Sequence, residues 1–347
     1  MNLTTTNEFG CIAMTARGFL TQAILCACVA LFSLTGCKAK SDEVQGARAS
    51  AAASAGKAEL TAAEQAGMND ALPPEKTGGF DGKLAFQHVA KQVGFGPRPS
   101  GSPAIAQTQE YILTQLKSFG CTTEMDAFST DTPVGRLSMK NILVKIPGEQ
   151  PGIIMLATHY DTVLRDDIKF VGADDSGSST GVMLEIARLL CPARGKNAVW
   201  IAFFDGEEAM KVWSETDSRY GSRQMAAKLA ASGDITKIKA FLLADLVGSR
   251  ELHFMRDPTT KSLTDVVWKT AGRLGYGEHF LEQSAAMEDD HNSFAKRKVP
   301  VVDVIDLDRE GDVAFWHTAD DTLDKISAKS LAITGHVFLE SVKELQK

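Results

Sequence analysis

The sequence predicts one α/β domain with a mixed, mostly parallel central β-sheet flanked by helices on both faces. Three observations indicate this fold class. Short apolar runs alternate with helical patterns along residues 80–347, the first two strand-like segments are joined by the hairpin-forming stretch Pro133-Val134-Gly135, and no repeat or second linker interrupts the pattern. Strands that alternate with helices usually pair in parallel, because each helix returns the chain to the same edge of the sheet.

The predicted helices and strands follow one another along the chain. Apolar residues recur at helical spacing in residues 84–93 and 103–119, and residues 122–129 and 137–146 alternate in the way that half-buried strands do. The later strands are short apolar or β-branched runs at residues 152–157, 198–204, 238–243 and 299–305. Each of them is followed by a helical pattern, at residues 180–190, 221–231, 263–274 and 328–345.

The composition is that of a globular protein. Hydrophobic residues make up 44% of the chain and charged residues 23%, and the formal net charge is -7. Because nucleic-acid binding usually requires a basic face, this charge gives it no support. We therefore expect no nucleic-acid partner.

Residues 1–37 differ from the rest of the chain. Arg17 precedes an apolar stretch, residues 18–33, and Leu34-Thr35-Gly36-Cys37 follows. This order is typical of a signal peptide, and the apolar stretch is short for a membrane span. Its end resembles the lipobox of bacterial lipoproteins, which implies a lipid anchor on Cys37 and a place in the bacterial cell envelope, facing the periplasm or the exterior. A plain secretory signal with an incidental cysteine is the alternative.

Residues 38–78 are rich in Ala, Ser, Gly, Lys and Glu, with few large apolar side chains. Such a stretch cannot bury enough surface to offset its ordering entropy, so we predict a flexible tether followed by a folded domain at residues 79–347. Once residues 1–37 are processed, only Cys121 and Cys191 remain in that domain. They could form one disulfide in an oxidising compartment, but the sequence alone does not decide whether they pair.

Acidic and imidazole side chains gather in five short segments, four of which follow a predicted buried strand. The segments are His159-Tyr160-Asp161, Gly172-Ala173-Asp174-Asp175-Ser176, Phe203-Phe204-Asp205-Gly206-Glu207-Glu208, Leu243-Ala244-Asp245 and Trp316-His317-Thr318. In open α/β sheets, ligands bind beyond the carboxyl ends of the strands, where such residues can meet in space. These are the residue types of a carboxylate-rich zinc site, and the recurrence indicates an enzyme.

From about Gly96-Pro97-Arg98 to the C-terminus, the chain resembles the M28 clan of zinc-dependent peptidases. Residues 172–176, Glu207-Glu208 and Asp245 are shared with the aminopeptidases of that clan. Three stretches are more similar to the glutaminyl cyclases within it. These are residues 203–209 with 213–223, Asp289-Asp290-His291 with Arg297 and Val299-Pro300-Val301, and Trp316-His317-Thr318.

By this resemblance, Asp175, Glu208 and His317 hold one tightly bound Zn²⁺. Three protein ligands and one open position are typical of catalytic zinc. Asp175 taken alone would equally suit a helix N-cap. The resemblance also implies a cis peptide bond between Asp175 and Ser176.

Glu207 directly precedes one of these ligands, where a carboxylate suits proton transfer. In a cyclase it would move a proton from the substrate amine to the departing ammonia, and in a peptidase it would activate water. Asp245 is equally ambiguous. It would bind the substrate amine in a cyclase, whereas in a two-zinc aminopeptidase Asp245 and His159 hold a second metal that Asp175 bridges. A second metal site therefore stays open.

The resemblance assigns supporting roles to three further residues. Trp213 and Trp316 would contact the substrate, and Asp289 would join Asp245 in an acidic hydrogen-bond relay. Simple core packing is the alternative for the tryptophans. Cyclases often line the pocket with a phenylalanine that lies a few residues before the last histidine motif. In residues 309–315 of this chain the only phenylalanine is Phe315, directly before Trp316, and we expect it to point elsewhere.

The implied fold is that of an M28 aminopeptidase. The implied reaction is zinc-dependent cyclisation of the N-terminal glutamine of peptides or proteins to pyroglutamate, with release of ammonia. An M28 aminopeptidase that removes N-terminal residues is the main alternative, and a non-catalytic binding ectodomain is a third. Peptide or protein N-termini are thus the expected partners, and a monomer is the expected state.

Overall fold

The computed structural model describes residues 59–307 and 314–347, which fall in one unit, Glu59–Lys347. Its strands in chain order are β1 (Thr123–Thr132), β2 (Gly135–Ile146), β3 (Gly148–His159), β4 (Gly195–Phe204), β5 (Ile238–Asp245), β6 (Phe254–Arg256), β7 (Phe280–Ser284) and β8 (Val301–Ile305). Six of them form a sheet in the order β1-β2-β4-β3-β5-β8, and β6 pairs with β7. β2 is antiparallel to β1 and β4, whereas β3, β4, β5 and β8 are parallel to one another. The predicted fold class is confirmed.

Helices cover both faces of the sheet. They are α1 (Ala62–Asn69), α2 (Gly82–Val93), α3 (Pro103–Ser118), α4 (Ser179–Leu190), α5 (Tyr220–Ser232), α6 (Lys261–Arg273), α7 (His291–Ala295) and α8 (Ala328–Leu345). Because side chains alternate along a strand, neighbouring residues of β5 enter different cores. Leu242 joins an apolar cluster with residues of α2, α4 and α8, and Leu243 joins one with residues of α5 and α7. Burying one such leucine contributes roughly 1.5–3 kcal/mol.

Residues 59–78 belong to the folded unit, which moves the predicted end of the tether towards the N-terminus. A Cβ on Gly67 of α1 would fall 2.3 Å from the carbonyl oxygen of Ile326, so the helix packs closely here. Asp70 then accepts a hydrogen bond from the hydroxyl of Ser327, the N-cap of α8. Small and polar residues thus hold this segment against the rest of the folded unit. The shortage of large apolar side chains in the sequence therefore hides its packing.

Every helix and strand predicted from the sequence is present, with ends that shift by a few residues. The elements α1, α7, β6 and β7 were not predicted; β6 has three residues, and β7 and α7 have five each, too short to carry a clear period. Residues 1–58, with the predicted signal peptide and Cys37, lie outside the described residues. Among the described helices, none is both long enough and apolar enough to cross a membrane.

Cys121 and Cys191 form a disulfide bond. Cys191 is the residue that ends α4, and Cys121 follows α3 and precedes β1. The sequence did not decide whether these two cysteines pair, and the structure shows that they do. The bond links the end of α4 to the segment between α3 and β1.

The parallel strands bring their carboxyl ends to one edge of the sheet. His159, the last residue of β3, pairs with Phe204, the last residue of β4. At the other side of β3, Asp245 ends β5 and pairs with Ile305 at the end of β8. The loops that follow these strands converge there, as the rule for open α/β sheets predicts.

Candidate metal centre and substrate pocket

Asp175 lies in the loop that leads from β3 into α4 and is buried. The carboxylate of Asp321 accepts hydrogen bonds from the backbone amides of Asp174 and Asp175, at 2.7 and 3.1 Å. From the other side, the fully buried Arg98 donates to the carbonyl oxygens of residues 171 and 172. The expected cis peptide bond between Asp175 and Ser176 is present.

Glu207 and Glu208 follow β4, and the side chain of Asp161 holds the backbone of both residues in place. The two carboxylate oxygens of Asp161 accept hydrogen bonds from the backbone amides of Glu207 and Glu208, at 3.1 and 3.2 Å. All three residues are buried. Because the backbone is held in this way, the two neighbouring glutamates keep fixed positions at the edge of the sheet.

His317 is the third residue of a group that could bind a metal ion, together with Asp175 and Glu208. Its Nε2 atom lies 3.1 Å from Oδ2 of Asp175 and 3.0 Å from Oε1 of Glu208. The residue has a φ of 54°, in the left-handed region that few non-glycine residues adopt. Arg165 donates a hydrogen bond of 2.9 Å to its carbonyl oxygen, and this contact stabilises the unusual backbone.

The donor set of Asp175, Glu208 and His317 fits zinc. Its ligand atoms all lie within 4.8 Å of one another, and carboxylate oxygen and imidazole nitrogen are ligands that Zn²⁺ accepts. Burial and the charge of Asp175 raise the pKa of Glu208 to about 7. Burial would lower the pKa of His317, but Glu208 and Asp175 raise it to about 11. Two buried carboxylates side by side repel each other, and a bound cation would remove that cost.

A second group shares Asp175. The Nε2 atom of His159 lies 3.3 Å from Oδ1 of Asp175 and 3.1 Å from Oδ1 of Asp245, and the ligand atoms of these three residues also lie within 4.8 Å of one another. Burial acts to lower the pKa of His159, but Asp245, Asp161 and Asp175 together raise it well above its usual value. The arrangement of a second metal position is therefore intact.

One cavity of about 690 Å³ brings together the predicted site residues other than His159. They are Asp175, Glu207, Glu208, Trp213, Asp245, Asp289, Trp316 and His317. Each tryptophan is 39% exposed, so neither is a core residue. The Trp316 ring stacks on the His317 ring, with 4.3 Å between centroids. His159 does not line the cavity but contacts two residues that do, Asp175 and Asp245.

The carboxylates inside the cavity disturb one another. Burial and the charge of Asp289 raise the pKa of Glu207 well above its ordinary value. Burial, with the charges of Asp245 and Asp290, does the same for the pKa of Asp289. A carboxyl group whose pKa is shifted towards neutrality can both accept and donate a proton, which is the chemistry that the sequence analysis expects of Glu207.

Sequence reasoning missed the residues that hold this site in place. Asp161 and Asp321 bind backbone amides and Arg98 binds backbone carbonyls; all three lie in conspicuous segments, but nothing in a single sequence shows whose backbone they contact. Phe315 lines a separate cavity of about 440 Å³, in agreement with the expectation that it points away from the site. Residues 308–313 of the same loop lie outside the described part of the chain.

A mostly parallel α/β sheet that carries two groups of possible metal ligands at its carboxyl edge has the architecture of a metal-dependent α/β enzyme. The chain belongs to peptidase family M28, whose family model matches residues 141–342.

Several proteins similar to this chain are glutaminyl cyclases. The glutaminyl-peptide cyclotransferase-like protein of Bos taurus is 32% identical over 255 residues, which cover 65% of this chain and 66% of that protein, just under two thirds of its length. The crystal structure of an Acidobacteriales bacterium glutaminyl cyclase is 42% identical, with a TM-score of 0.72, and the match covers 77% of this chain and 95% of that one. A Zn-dependent exopeptidase from Parabacteroides distasonis is 26% identical, with a TM-score of 0.69 and coverage of 75% and 97%.

Proposed function

We propose that this protein is a glutaminyl-peptide cyclotransferase, which converts the N-terminal glutamine of peptides or proteins to pyroglutamate and releases ammonia. The choice of reaction rests on the similarity to a glutaminyl-peptide cyclotransferase-like protein of cattle and to a glutaminyl cyclase of an Acidobacteriales bacterium. The geometry supports this reaction, because Glu207, a carboxylate suited to proton transfer, lines the same cavity as the three possible metal ligands Asp175, Glu208 and His317. An aminopeptidase could use the same arrangement, so our choice between the two reactions rests on the similarity to glutaminyl cyclases.

Zinc is the metal that we propose, held by Asp175, Glu208 and His317. Membership of family M28 and the likeness to a Zn-dependent exopeptidase support this choice. When bound, zinc would polarise the γ-carbonyl of the glutamine side chain and stabilise the negative charge that develops on its oxygen. Tight binding of a single zinc is proposed, with a second and weaker position at His159 and Asp245.

The chain itself must fold the glutamine back and move one proton. Nucleophile and electrophile belong to the same residue of the substrate, so holding them in the reacting geometry supplies much of the rate gain. Glu207 accepts the proton of the attacking amine and passes it to the leaving ammonia. Asp245, at the end of β5, accepts a hydrogen bond from the amine, and Asp289 shares the relay.

The two tryptophans form the walls against which the substrate packs. Trp316 and Trp213 line the same cavity and are half-exposed, which leaves ring surface for a flat amide or for the residue after the glutamine. Aromatic rings bury much area while losing little conformational entropy.

An aminopeptidase remains the second candidate because of one observation. His159, Asp175 and Asp245 keep the geometry of a second metal position. If that position binds zinc tightly, two metals would share Asp175 and could activate a water for peptide cleavage.

We also propose that the protein is secreted and lipid-anchored to the bacterial cell envelope through Cys37. Arg17, the apolar residues 18–33 and Leu34-Thr35-Gly36-Cys37 support this. The disulfide between Cys121 and Cys191 fits an oxidising compartment such as the periplasm. Labelling of cells with a radioactive fatty acid, with Cys37→Ser as the control, tests the anchor.

The reaction is tested by offering two substrates to the purified, zinc-loaded protein. A Gln-initiated peptide should yield pyroglutamyl peptide and ammonia, and Leu-arylamide should stay intact. Release of the arylamine without cyclisation of the Gln-peptide would replace the cyclase by the aminopeptidase.

A further inference from the structure

We propose that Arg219 is a positioning residue for the substrate pocket, because its buried guanidinium group holds both Trp213 and the segment that carries Asp289. This inference rests on the proposed function, since the pocket is taken to bind an N-terminal glutamine. Arg219 does not line the cavity and belongs to none of the ligand groups described above.

The first contact is with the wall of the pocket. The guanidinium carbon of Arg219 lies 5.2 Å from the centre of the Trp213 ring, within the range of a cation–π interaction. The ring nitrogen of Trp213 donates a hydrogen bond of 3.2 Å to Oε2 of Glu288, and Nη2 of Arg219 lies 3.6 Å from the same oxygen. Arg219, Trp213 and Glu288 therefore form a closed triangle at the pocket wall.

The second contact reaches Asp289 through one intermediate residue. Nη1 of Arg219 donates a hydrogen bond of 3.2 Å to the side-chain oxygen of Asn292. That oxygen also accepts a hydrogen bond of 3.2 Å from the backbone amide of Asp289. The guanidinium group thus fixes the start of α7 and, with it, the carboxylate of Asp289 that lines the cavity.

The backbone of Arg219 explains why the side chain matters. The residue has a φ of 51° at the position before α5, where glycine or asparagine would be the favoured choice. Its backbone amide donates a 2.6 Å hydrogen bond to the carbonyl oxygen of Glu207. A residue with a Cβ is disfavoured in this conformation, and the side chain of Arg219 is only 3% exposed. We infer that arginine stands here because of its side-chain contacts. Through its backbone and its side chain together, the residue links the loop of Glu207 to Trp213 and to Asn292.

Loss of the guanidinium group should free the Trp213 ring and loosen the Glu288–Asp289 segment while leaving the metal ligands untouched. The expected effect is a rise in KM for Gln-initiated peptides on the order of tenfold, as for a partly desolvated cation–π contact. The turnover number should change less, because Glu207 keeps its other backbone support from Asp161.

The test compares Arg219→Met and Arg219→Lys with the wild type, and Arg256→Met serves as the matched control. The guanidinium carbon of Arg256 also lies over a tryptophan, 5.5 Å from the centre of the Trp268 ring, but that tryptophan does not line the cavity. Three properties are measured for each variant: KM and kcat for a Gln-peptide, zinc content, and acrylamide quenching of Trp213 fluorescence, taken as the difference from a Trp213→Phe background.

We expect Arg219→Met to keep its zinc, to raise KM and to make Trp213 more quenchable. Arg219→Lys should give a smaller change, and Arg256→Met should behave as the wild type. Native KM and native quenching in Arg219→Met would overturn the inference. If Arg219→Met does not fold, the decision passes to Arg219→Lys, in which an unchanged KM and unchanged quenching would overturn the inference. The quenching needs no substrate, so a failure of the proposed reaction can be told apart from a failure of the positioning role.

Discussion

The Nε2 atom of His159 lies 3.1 Å from Oδ1 of Asp245, at the carboxyl ends of two neighbouring parallel strands. The same Asp245 oxygen accepts a hydrogen bond of 2.8 Å from the backbone amide of Leu246. A second metal at this position would have to share Asp175 with the first metal. We therefore propose that this second position binds a cation more weakly than the group of Asp175, Glu208 and His317.

We expect metal analysis of extensively dialysed protein to find one zinc per chain. His159→Asn should keep this zinc, because the imidazole lies outside the group of Asp175, Glu208 and His317. His317→Asn should lose it. Two tightly held zincs in the wild type, with one lost in His159→Asn, would contradict the single-zinc proposal and favour the aminopeptidase.

Glu207→Gln should lower kcat on the order of a hundredfold to ten-thousandfold, the range usual for general acid–base groups. The amide keeps the shape of the side chain but cannot take up the amine proton. Zinc content should be native, because the backbone support from Asp161 is unchanged. Glu215→Gln is the control, since Glu215 lies nearby with a side chain that is 65% exposed. Equal kcat in the two variants would rule out a proton-transfer role.

Arg165→Gln should weaken zinc binding by about tenfold, the lower end of the effect seen when groups that support metal ligands are removed. Arg165 holds the carbonyl oxygen of His317, whose φ of 54° is strained. Arg136→Gln is the control, because its ion pair with Asp131 is exposed on the β1–β2 hairpin. Competition with a zinc-binding dye measures the affinity, and identical zinc affinities for Arg165→Gln and Arg136→Gln would show that the contact is not needed.

The stability of the fold should depend on the protonation of His88 on α2. Burial, with the charge of Arg188, lowers the pKa of His88 from 6.5 to about 4. Between these two values the unfolded chain binds the proton and the folded chain does not, so this contribution to stability is complete above 6.5 and is lost as the pH falls towards 4. His88→Gln should remove it.

Denaturant unfolding at about pH 7 and about pH 5 measures this effect. The wild type should lose on the order of 2 kcal/mol more than His88→Gln between the two conditions, at about 1.4 kcal/mol per pKa unit. An identical loss in both proteins would show that His88 is not the group responsible.

The fold and the site differ in how far the sequence predicts them. The strands β3, β4, β5 and β8 are predictable because each is a short apolar run, and their acids fall at the carboxyl ends by the rule for open α/β sheets. The contacts that hold those acids are not predictable. Asp161 binds the amides of Glu207 and Glu208 from 46 and 47 positions away in the chain, and no local period encodes such a pairing.

The N-terminal boundary of the folded domain and the wall of the pocket also depend on contacts that the sequence does not predict. Residues 59–78 look like a tether because their packing uses Gly67 and Asp70 rather than large apolar residues. Arg219 stands in a stretch that the resemblance singles out, yet its role depends on Asn292, which belongs to a short helix without a clear period of its own. Positions that act through backbone conformation or through a third residue become visible only in three dimensions.

We infer that this enzyme cyclises N-terminal glutamine and cuts no peptide bond, and mass spectrometry of one Gln-initiated peptide can distinguish the two outcomes. Zinc-loaded wild-type protein is incubated with the peptide, and Glu207→Gln and chelator-treated protein serve as controls that should be inactive. We expect a single product that is lighter than the substrate by one ammonia and keeps every residue. A product shortened by its first residue, together with free glutamine, would contradict it.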